Sequence, residues 1–275
     1  TRTLGKTNYQ AAIFGLGGEG ILRTRGYFKE AEEVIKKAVE VGINYFDTAP
    51  AYQQSRDYLG KFLWRYAKRE NIFLASKTHE RSYGGTMMLF EDSLQRLNTN
   101  YLDLLQLHDL RTKEDIDEIF SSDGAIHALE ELKKKGKIRF MGITGHHDPS
   151  ILVEAIKRYD FDTILLCVNA GDIHYLPFVS HVIPQAKKKG MGVIAMKVAA
   201  QGYALSSLTM KEAFYYSLSQ DVDIAIIGCK TPKEVEENAN LARNFRWQTE
   251  QELRQIENKT KNSVAETNFF KKGFG

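Results

Sequence analysis

One unit recurs along this sequence and limits what it can fold into: a helical stretch ending on glycine, with an apolar strand directly behind it. Residues 30–41 pass through Gly42 into INYF, 125–135 through Gly136 into IRFMGI, and 181–189 through Gly190 into GVIAM. Glycine there supplies the left-handed C-cap from which a helix turns back into a strand. Further pairs lie between: 57–68 with IFLAS, 87–97 with LDLLQL, 151–158 with TILLCV, and 210–219 with DIAIIG, followed by a helical 233–245. Counted from AIFGL at 12–16, eight strands each precede a helical stretch. Apolar strands between amphipathic helices predict a parallel sheet covered by helices. Eight such units predict an α/β fold of the (β/α)8 TIM barrel type rather than an open doubly wound sheet.

The ends of the chain add to that plan. Residues 1–14 alternate weakly around Gly5-Lys6-Thr7-Asn8, which predicts an N-terminal hairpin. Residues 249–262 begin with TEQEL, a capping-box start that predicts an extra C-terminal helix, and a polar tail bearing Phe269, Phe270 and Phe274 follows. With no linker or low-complexity stretch, 1–275 reads as a single domain, and barrels of this kind run to about 250 residues. Lys+Arg 38 against Asp+Glu 35 gives a net charge of only +3, which argues against nucleic acid as a partner. The two cysteines, Cys167 and Cys229, are too few for a disulfide framework and read as reduced, buried thiols of a cytoplasmic protein. No secretion signal or bilayer-spanning run is visible. His146-His147-Asp148 lacks a convergent third ligand, so no metal is expected, and Asp148 before Pro149 reads as a helix N-cap.

Chemistry concentrates where strands end. In INYFDTAPAY (43–52) the strand INYF stops before Pro50, leaving Asp47 at its end and Tyr52 in the loop beyond. IFLAS runs into Lys77, and LDLLQL into His108. In such a barrel the C-terminal strand ends share one face, so Asp47, Tyr52, Lys77 and His108 would meet. Reduction of a carbonyl by a bound nicotinamide needs a proton donor for the oxygen. Tyr52 suits that task if a nearby ammonium, Lys77, lowers its pKa, with Asp47 holding Lys77 and His108 polarising the carbonyl. Each residue alone has a duller reading: a packed tyrosine, a snorkelling lysine, a turn-capping aspartate, a core histidine. Four such coincidences at strand ends are harder to accept than one site. FGLGGEG also meets the dinucleotide-fingerprint spacing at Gly15, Gly17 and Gly20, but Thr24-Arg25-Gly26 interrupts the helix that should open there.

FDTAPAY, ASKT and LLQLHD resemble the three catalytic segments of the aldo-keto reductase superfamily, and GITGHH and CKTPKEVEEN resemble its cofactor segments. The likeness runs in order over nearly the whole chain. GITGH with AMK, at 142–146 and 195–197, is most similar to a branch of uncharacterised prokaryotic oxidoreductases. The resemblance implies an NAD(P)H-dependent reduction of aldehydes or ketones to alcohols, with Tyr52 as acid assisted by Lys77, Asp47 and His108. It implies NADPH or NADH as cofactor, contacted by Gly17, Gly18, Asp47, Thr144, Gly145, Asn169, Met196 and Lys197. Around the last strand it adds Gly228, Lys230, Thr231, Glu234, Glu237 and Asn238.

Several positions depart from the family pattern. Thr144-Gly145 stands where a Ser-Asn pair usually holds the nicotinamide carboxamide, Leu165 where a Gln does, and Met196 where an aromatic stacks. Asn169 and His146 are available as substitute partners. Glu234 stands where NADPH users often carry an arginine, which points away from a strong NADPH preference. Specificity is expected in the loop 110–124 and the Phe-bearing tail. Small carbonyl compounds are the expected partners of a monomer or weak homo-oligomer, with no membrane. Two other functions compete: a Schiff-base aldolase using Lys77 or Lys197 on the same barrel, and a cofactor-binding regulatory protein of the same fold.

Overall fold

The computed structural model describes residues 1–274. A short antiparallel hairpin, β1 (Arg2–Thr3) and β2 (Gln10–Ala11), precedes the sheet, as its turn sequence predicts. Eight parallel strands follow: β3 (Phe14–Gly17), β4 (Tyr45–Asp47), β5 (Phe73–Thr78), β6 (Leu102–Leu107), β7 (Ile138–Gly145), β8 (Thr163–Cys167), β9 (Gly192–Met196) and β10 (Ile224–Ile227). They pair in chain order, and β10 returns to β3, so the sheet is a closed barrel. This is the TIM barrel that the repeated unit predicts.

Alternation along the strands sorts the core into two shells. Inside the barrel lie Tyr45, Phe73, Ala75, Leu104, Leu165, Ile194, Ile224 and Ile226, sealed from below by Leu4 and Ala11 of the hairpin. The Phe73 ring stacks on Tyr45 at 5.2 Å and on Phe140 at 5.9 Å. Leu165 therefore belongs to the middle of the core. The outward residues face the helices, among them α1 (Phe28–Glu40), α2 (Ser55–Tyr66), α3 (Tyr83–Leu97), α4 (Lys113–Ile119), α5 (Ala125–Lys134) and α6 (Pro149–Arg158). Gly42, Gly136 and Gly190 take φ of 90°, 67° and 68°, the left-handed stops that the repeat calls for.

Three segments differ from the sequence reading. The expected loop 110–124 contains α4, opened by a capping box between Thr112 and Asp115; its charge-rich KEDIDEI hides Ile116 and Ile119, both fully buried. The stretch 181–189 breaks at Val182 into α7 (Phe178–His181) and α8 (Ile183–Lys188), because Pro184 has no N–H to continue the ladder. Then come α9 (Met210–Leu218), α10 (Pro232–Arg243) and the expected extra helix α11 (Glu250–Thr260). The polar tail beyond it forms a further turn of helix, α12 (Val264–Thr267). No helix among the described residues is long and apolar enough to cross a membrane.

Helices α2 and α3 meet at Gly60, where an added Cβ would lie 1.9 Å from the Arg96 carbonyl oxygen. Ala is worth about 1 kcal/mol over Gly in a helix interior, yet backbone on the other side cannot swing aside. Gly60→Ala is expected to destabilise the fold by about 1–3 kcal/mol, read as a lower urea midpoint with an unchanged slope.

Candidate active site

After Asp47 the chain makes a tight turn: Tyr52 N–H donates to Ala49 O at 3.0 Å, Ser55 N–H to Tyr52 O at 2.9 Å, and Thr48 Oγ1 to Ser55 Oγ at 2.9 Å. The turn folds Tyr52 back over the strand ends. Gly18 lets it pass, since a Cβ there would lie 2.6 Å from both Asp47 O and Ser55 Oγ.

Lys77 lies within β5, one residue before its end, and its side chain rises through the barrel interior. Nζ is ion-paired with Asp47 Oδ2 and donates to Thr48 O at 2.9 Å. Gln106 Nε2 donates to the other carboxylate oxygen at 3.4 Å. Asp47 and Lys77 are each only 1% exposed. Burial pushes the carboxyl up and the ammonium down, and their mutual attraction opposes both shifts.

The Lys77 ammonium sits 4.7 Å from the centre of the Tyr52 ring, and the His108 ring meets Tyr52 edge-on at 5.9 Å. The four strand-end residues are thus brought together. One expectation is corrected: the Tyr52 phenol is not made more acidic. Burial first, then the Asp47 and Glu19 carboxylates, hold it well above its ordinary range. The ammonium lies over the ring face, with its charge engaged by Asp47 and a carbonyl.

His108 is fixed by its N–H to Thr78 O at 2.8 Å and by Arg81, which donates to the His108 carbonyl at 2.9 Å. Burial, then the Lys77 and His146 charges, push the imidazole well below 6.5, so it is neutral with one donor and one acceptor nitrogen. Asp109 beside it takes φ 54° and donates its N–H to Thr144 Oγ1 at 2.9 Å. Its carboxylate accepts from Arg111 Nε at 2.7 Å and lies 3.2 Å from His146 Nδ1.

The remaining expected residues fall in two places. Around the ends of β7–β9, Thr144 is fully buried with its hydroxyl on the Asp109 amide. Gly145 faces outward, where a Cβ would lie 2.8 Å from Leu152. Asn169 Oδ1 accepts from Gly171 N at 2.9 Å, while its buried Nδ2 has no partner. Met196 is half-buried, and Lys197, at φ 53°, places Nζ 5.3 Å from the Phe270 ring.

The second group surrounds the start of α10. Gly17 packs against Gly228, and Ile21 N–H donates to Cys229 O at 3.0 Å, so the β3 and β10 loops touch. Lys230 is exposed and Thr231 is the N-cap. Glu234 is engaged with its own helix start, its carboxylate accepting from Lys230 N at 2.7 Å. Asn238 is buried on Cys229 Sγ at 3.6 Å, whereas Glu237 is exposed and turned to Lys233 at 3.7 Å. Sequence reasoning missed Gln106, Asp109 and Glu19. Alternation back from His108 through Gln106 would have found the first.

These features fit a dinucleotide: glycines where the β3 and β10 loops approach, a positively polarised helix start beside Lys230, and an unpartnered amide donor at Asn169. The Aldo/keto reductase family model matches residues 13–216. The chain belongs to that family. Among aldo-keto reductases and their relatives, it is 28% identical to the Uncharacterized oxidoreductase YqkF of Bacillus subtilis over 96% of this chain and 97% of that protein. It is 31% identical to L-galactose dehydrogenase of Arabidopsis thaliana over 73% of this chain and 66% of that one. The holo form of aldo-keto reductase AKR11C1 from Bacillus halodurans superposes with a TM-score of 0.79 at 26% identity, covering 94% of this chain and 95% of that one. The chain is therefore an oxidoreductase of the aldo-keto reductase type.

Burial lowers His146 to about 4, against the pull of Asp109. Between about pH 6.5 and 4 the unfolded chain then binds the proton that the folded chain refuses, so stability is full above that window and declines as pH falls through it. A depression of this size is worth up to about 3 kcal/mol. Urea unfolding of wild type and His146→Gln at neutral pH and near pH 4.5 is expected to show the smaller acid loss in the variant.

Proposed function

We propose that this chain reduces aldehyde or ketone carbonyls to alcohols with NADPH or NADH, Tyr52 acting as the general acid. The supporting observation is the cluster itself: an ammonium 4.7 Å from the Tyr52 ring and a neutral imidazole 5.9 Å from it, brought together from three strand ends. The reduced nicotinamide supplies the hydride when bound. As the substrate oxygen gains negative charge, the protonated phenol and a neutral His108 N–H are the available donors. Burial delivers Tyr52 fully protonated. Burial and the Asp47 and Glu19 carboxylates outweigh the ammonium in setting the phenol's acidity, and the ammonium near its ring would offset only part of that cost once the phenolate forms. Asp47 keeps Lys77 charged and aimed, with Gln106 steadying the carboxylate. Asn169, Met196 and Lys197 would hold the nicotinamide end, and Gly17, Gly18, Gly228, Lys230 and Thr231 the remainder. Residues 1–275 work as one domain on this reading.

A Schiff-base role for Lys77 is disfavoured by its geometry, since its nitrogen is fully buried and shared between Asp47 and the Thr48 carbonyl.

Tyr52→Phe removes a single hydroxyl. It is expected to lower reduction of a reactive aldehyde by about a hundredfold or more while nucleotide affinity stays within a few-fold, measured by steady-state kinetics and titration of bound-cofactor fluorescence. Residual activity above about a tenth of wild type contradicts the assignment.

The Glu234 carboxylate sits at the start of α10, where a 2′-phosphate would meet like charge. Glu234→Arg is expected to move the kcat/KM ratio toward NADPH by about tenfold, or 1–2 kcal/mol. An unchanged ratio would place Glu234 outside the nucleotide site.

A further inference from the structure

The loop after β8, residues 169–178, is built as a receptor for the chain's own C-terminal tail. Thr260 Oγ1 donates to Ala170 O at 2.9 Å, Asn268 Nδ2 to Gly171 O at 3.0 Å, and Tyr175 Oη to Lys272 O at 2.7 Å. The tail comes so close at Gly171 that a Cβ there would lie 2.1 Å from Thr267 Oγ1. At the centre is Lys271, whose ammonium is 0% exposed and paired with the equally buried Asp172 at 2.5 Å. It also donates to Tyr175 O at 2.6 Å and Leu176 O at 3.1 Å, and Leu176 takes φ 41° in the loop that presents these carbonyls. A buried charge with its donors matched to oxygens is costly to form and fixes the segment that carries it. Whatever it holds is held in one place.

What it holds is Phe270. This ring is 8% exposed, lies edge-on to His146 at 5.7 Å and sits 5.3 Å beneath Lys197 Nζ. The tail backbone is tied there on the other side too: Lys272 N–H donates to His147 O at 2.9 Å, and His147 Nδ1 lies 3.3 Å from Phe270 O. His146 follows β7 and Lys197 follows β9, and β8 runs between those strands. A ring set between these two residues is on the side of the barrel mouth where β8 ends, and β8 leads into Asn169 with its unpartnered buried amide. That is the place assigned above to the nicotinamide end of the cofactor, and one flat ring excludes another. Alongside the tail, between residues 201–207 and 259–266, lies an open cavity of about 780 Å³ bordered by Tyr203, whose ring meets Phe269 at 5.3 Å.

We propose that the tail is a strap latched by Lys271 and Asp172, with Phe270 as a plug that must leave before the nicotinamide ring can seat. Lys271 and Asp172 are positioning residues; neither touches substrate. The inference rests on the cofactor reading given above. Opening precedes binding, so the observed association rate of NADPH or NADH reaches a ceiling set by the strap, and apparent affinity is reduced by the fraction of time it is open.

Stopped-flow fluorescence with each reduced nucleotide tests this on three proteins: wild type, Phe270→Ala, which removes the plug and leaves the latch, and Lys271→Met, which removes the latch and leaves the plug. Wild type is expected to saturate with nucleotide concentration, and both variants to raise the ceiling about tenfold or more. Amide exchange in the absence of nucleotide gives an independent readout. The Lys272 amide, bonded to His147, should exchange faster in Lys271→Met and not in Phe270→Ala. Association linear in concentration in wild type, or a ceiling unchanged in both variants that still bind, overturns the strap alone. Failure of all three proteins to bind either nucleotide overturns the cofactor reading and the strap with it. Urea unfolding of each variant separates loss of the latch from loss of the fold.

Discussion

The buried pair between Asp47 and Lys77 is the constraint around which the top of the barrel is arranged. Two opposite charges, each 1% exposed, are removed from water at a cost that attraction alone offsets poorly, so every remaining donor and acceptor must be matched. The Thr48 carbonyl takes a second ammonium proton and Gln106 serves the second carboxylate oxygen. Below the pair the barrel is closed by stacked Tyr45, Phe73 and Phe140. With that layer filled, charge has room only at the strand ends, and the turn carrying Tyr52 must fold over it. The same burial that makes the pair costly keeps the Tyr52 phenol protonated and the His108 ring neutral.

The mouth shows a second use of the same physics. Asp172 and Lys271 form another fully buried pair, and here one partner comes from the end of the chain. Each pair fixes the chain beside it, the turn after β4 through the Thr48 carbonyl and the tail through Asp172. The difference lies in reversibility. Asp47 and Lys77 stand on adjacent barrel strands and cannot part without opening the sheet. Lys271 belongs to a segment outside the sheet, held by the Asp172 pair, by Lys272 N–H on His147 O and by the packing of Phe270 on the outer core.

Where sequence reasoning went astray, the cause is local. KEDIDEI reads as part of a loop that mixes charges with Ile116, Ile119 and Phe120, whereas the structure makes it a helix capped at Thr112 with Ile116 and Ile119 buried. Lys77 next to Tyr52 reads as an acidifying neighbour, yet the direction of a pKa depends on burial and on how the ammonium is already engaged, neither of which is written in ASKT. Gln106 was legible, since alternation along LDLLQL puts it on the inward face with His108. Asp109 was not: its carboxylate lies 3.2 Å from His146 Nδ1, on a backbone at φ 54° that no local pattern announces.

Periodicity and punctuation determined the architecture. A helix followed at once by an apolar strand states its own geometry, three times with a glycine between them, and eight strand–helix units leave the barrel as the economical closure. The order of Asp47, Tyr52, Lys77 and His108 at strand ends determined that these residues would share a face, because parallel strands all end on the same side. Only the tertiary structure decided how they meet. It decided that Lys77 is spent on Asp47, that Thr144 serves the Asp109 amide, and that Glu234 is engaged by the Lys230 amide. It also decided that Phe270, far away in sequence, rests against His146 and Lys197. Strand order follows from local pattern; the state of each charge follows from which atoms surround it, and those are contributed by distant parts of the chain.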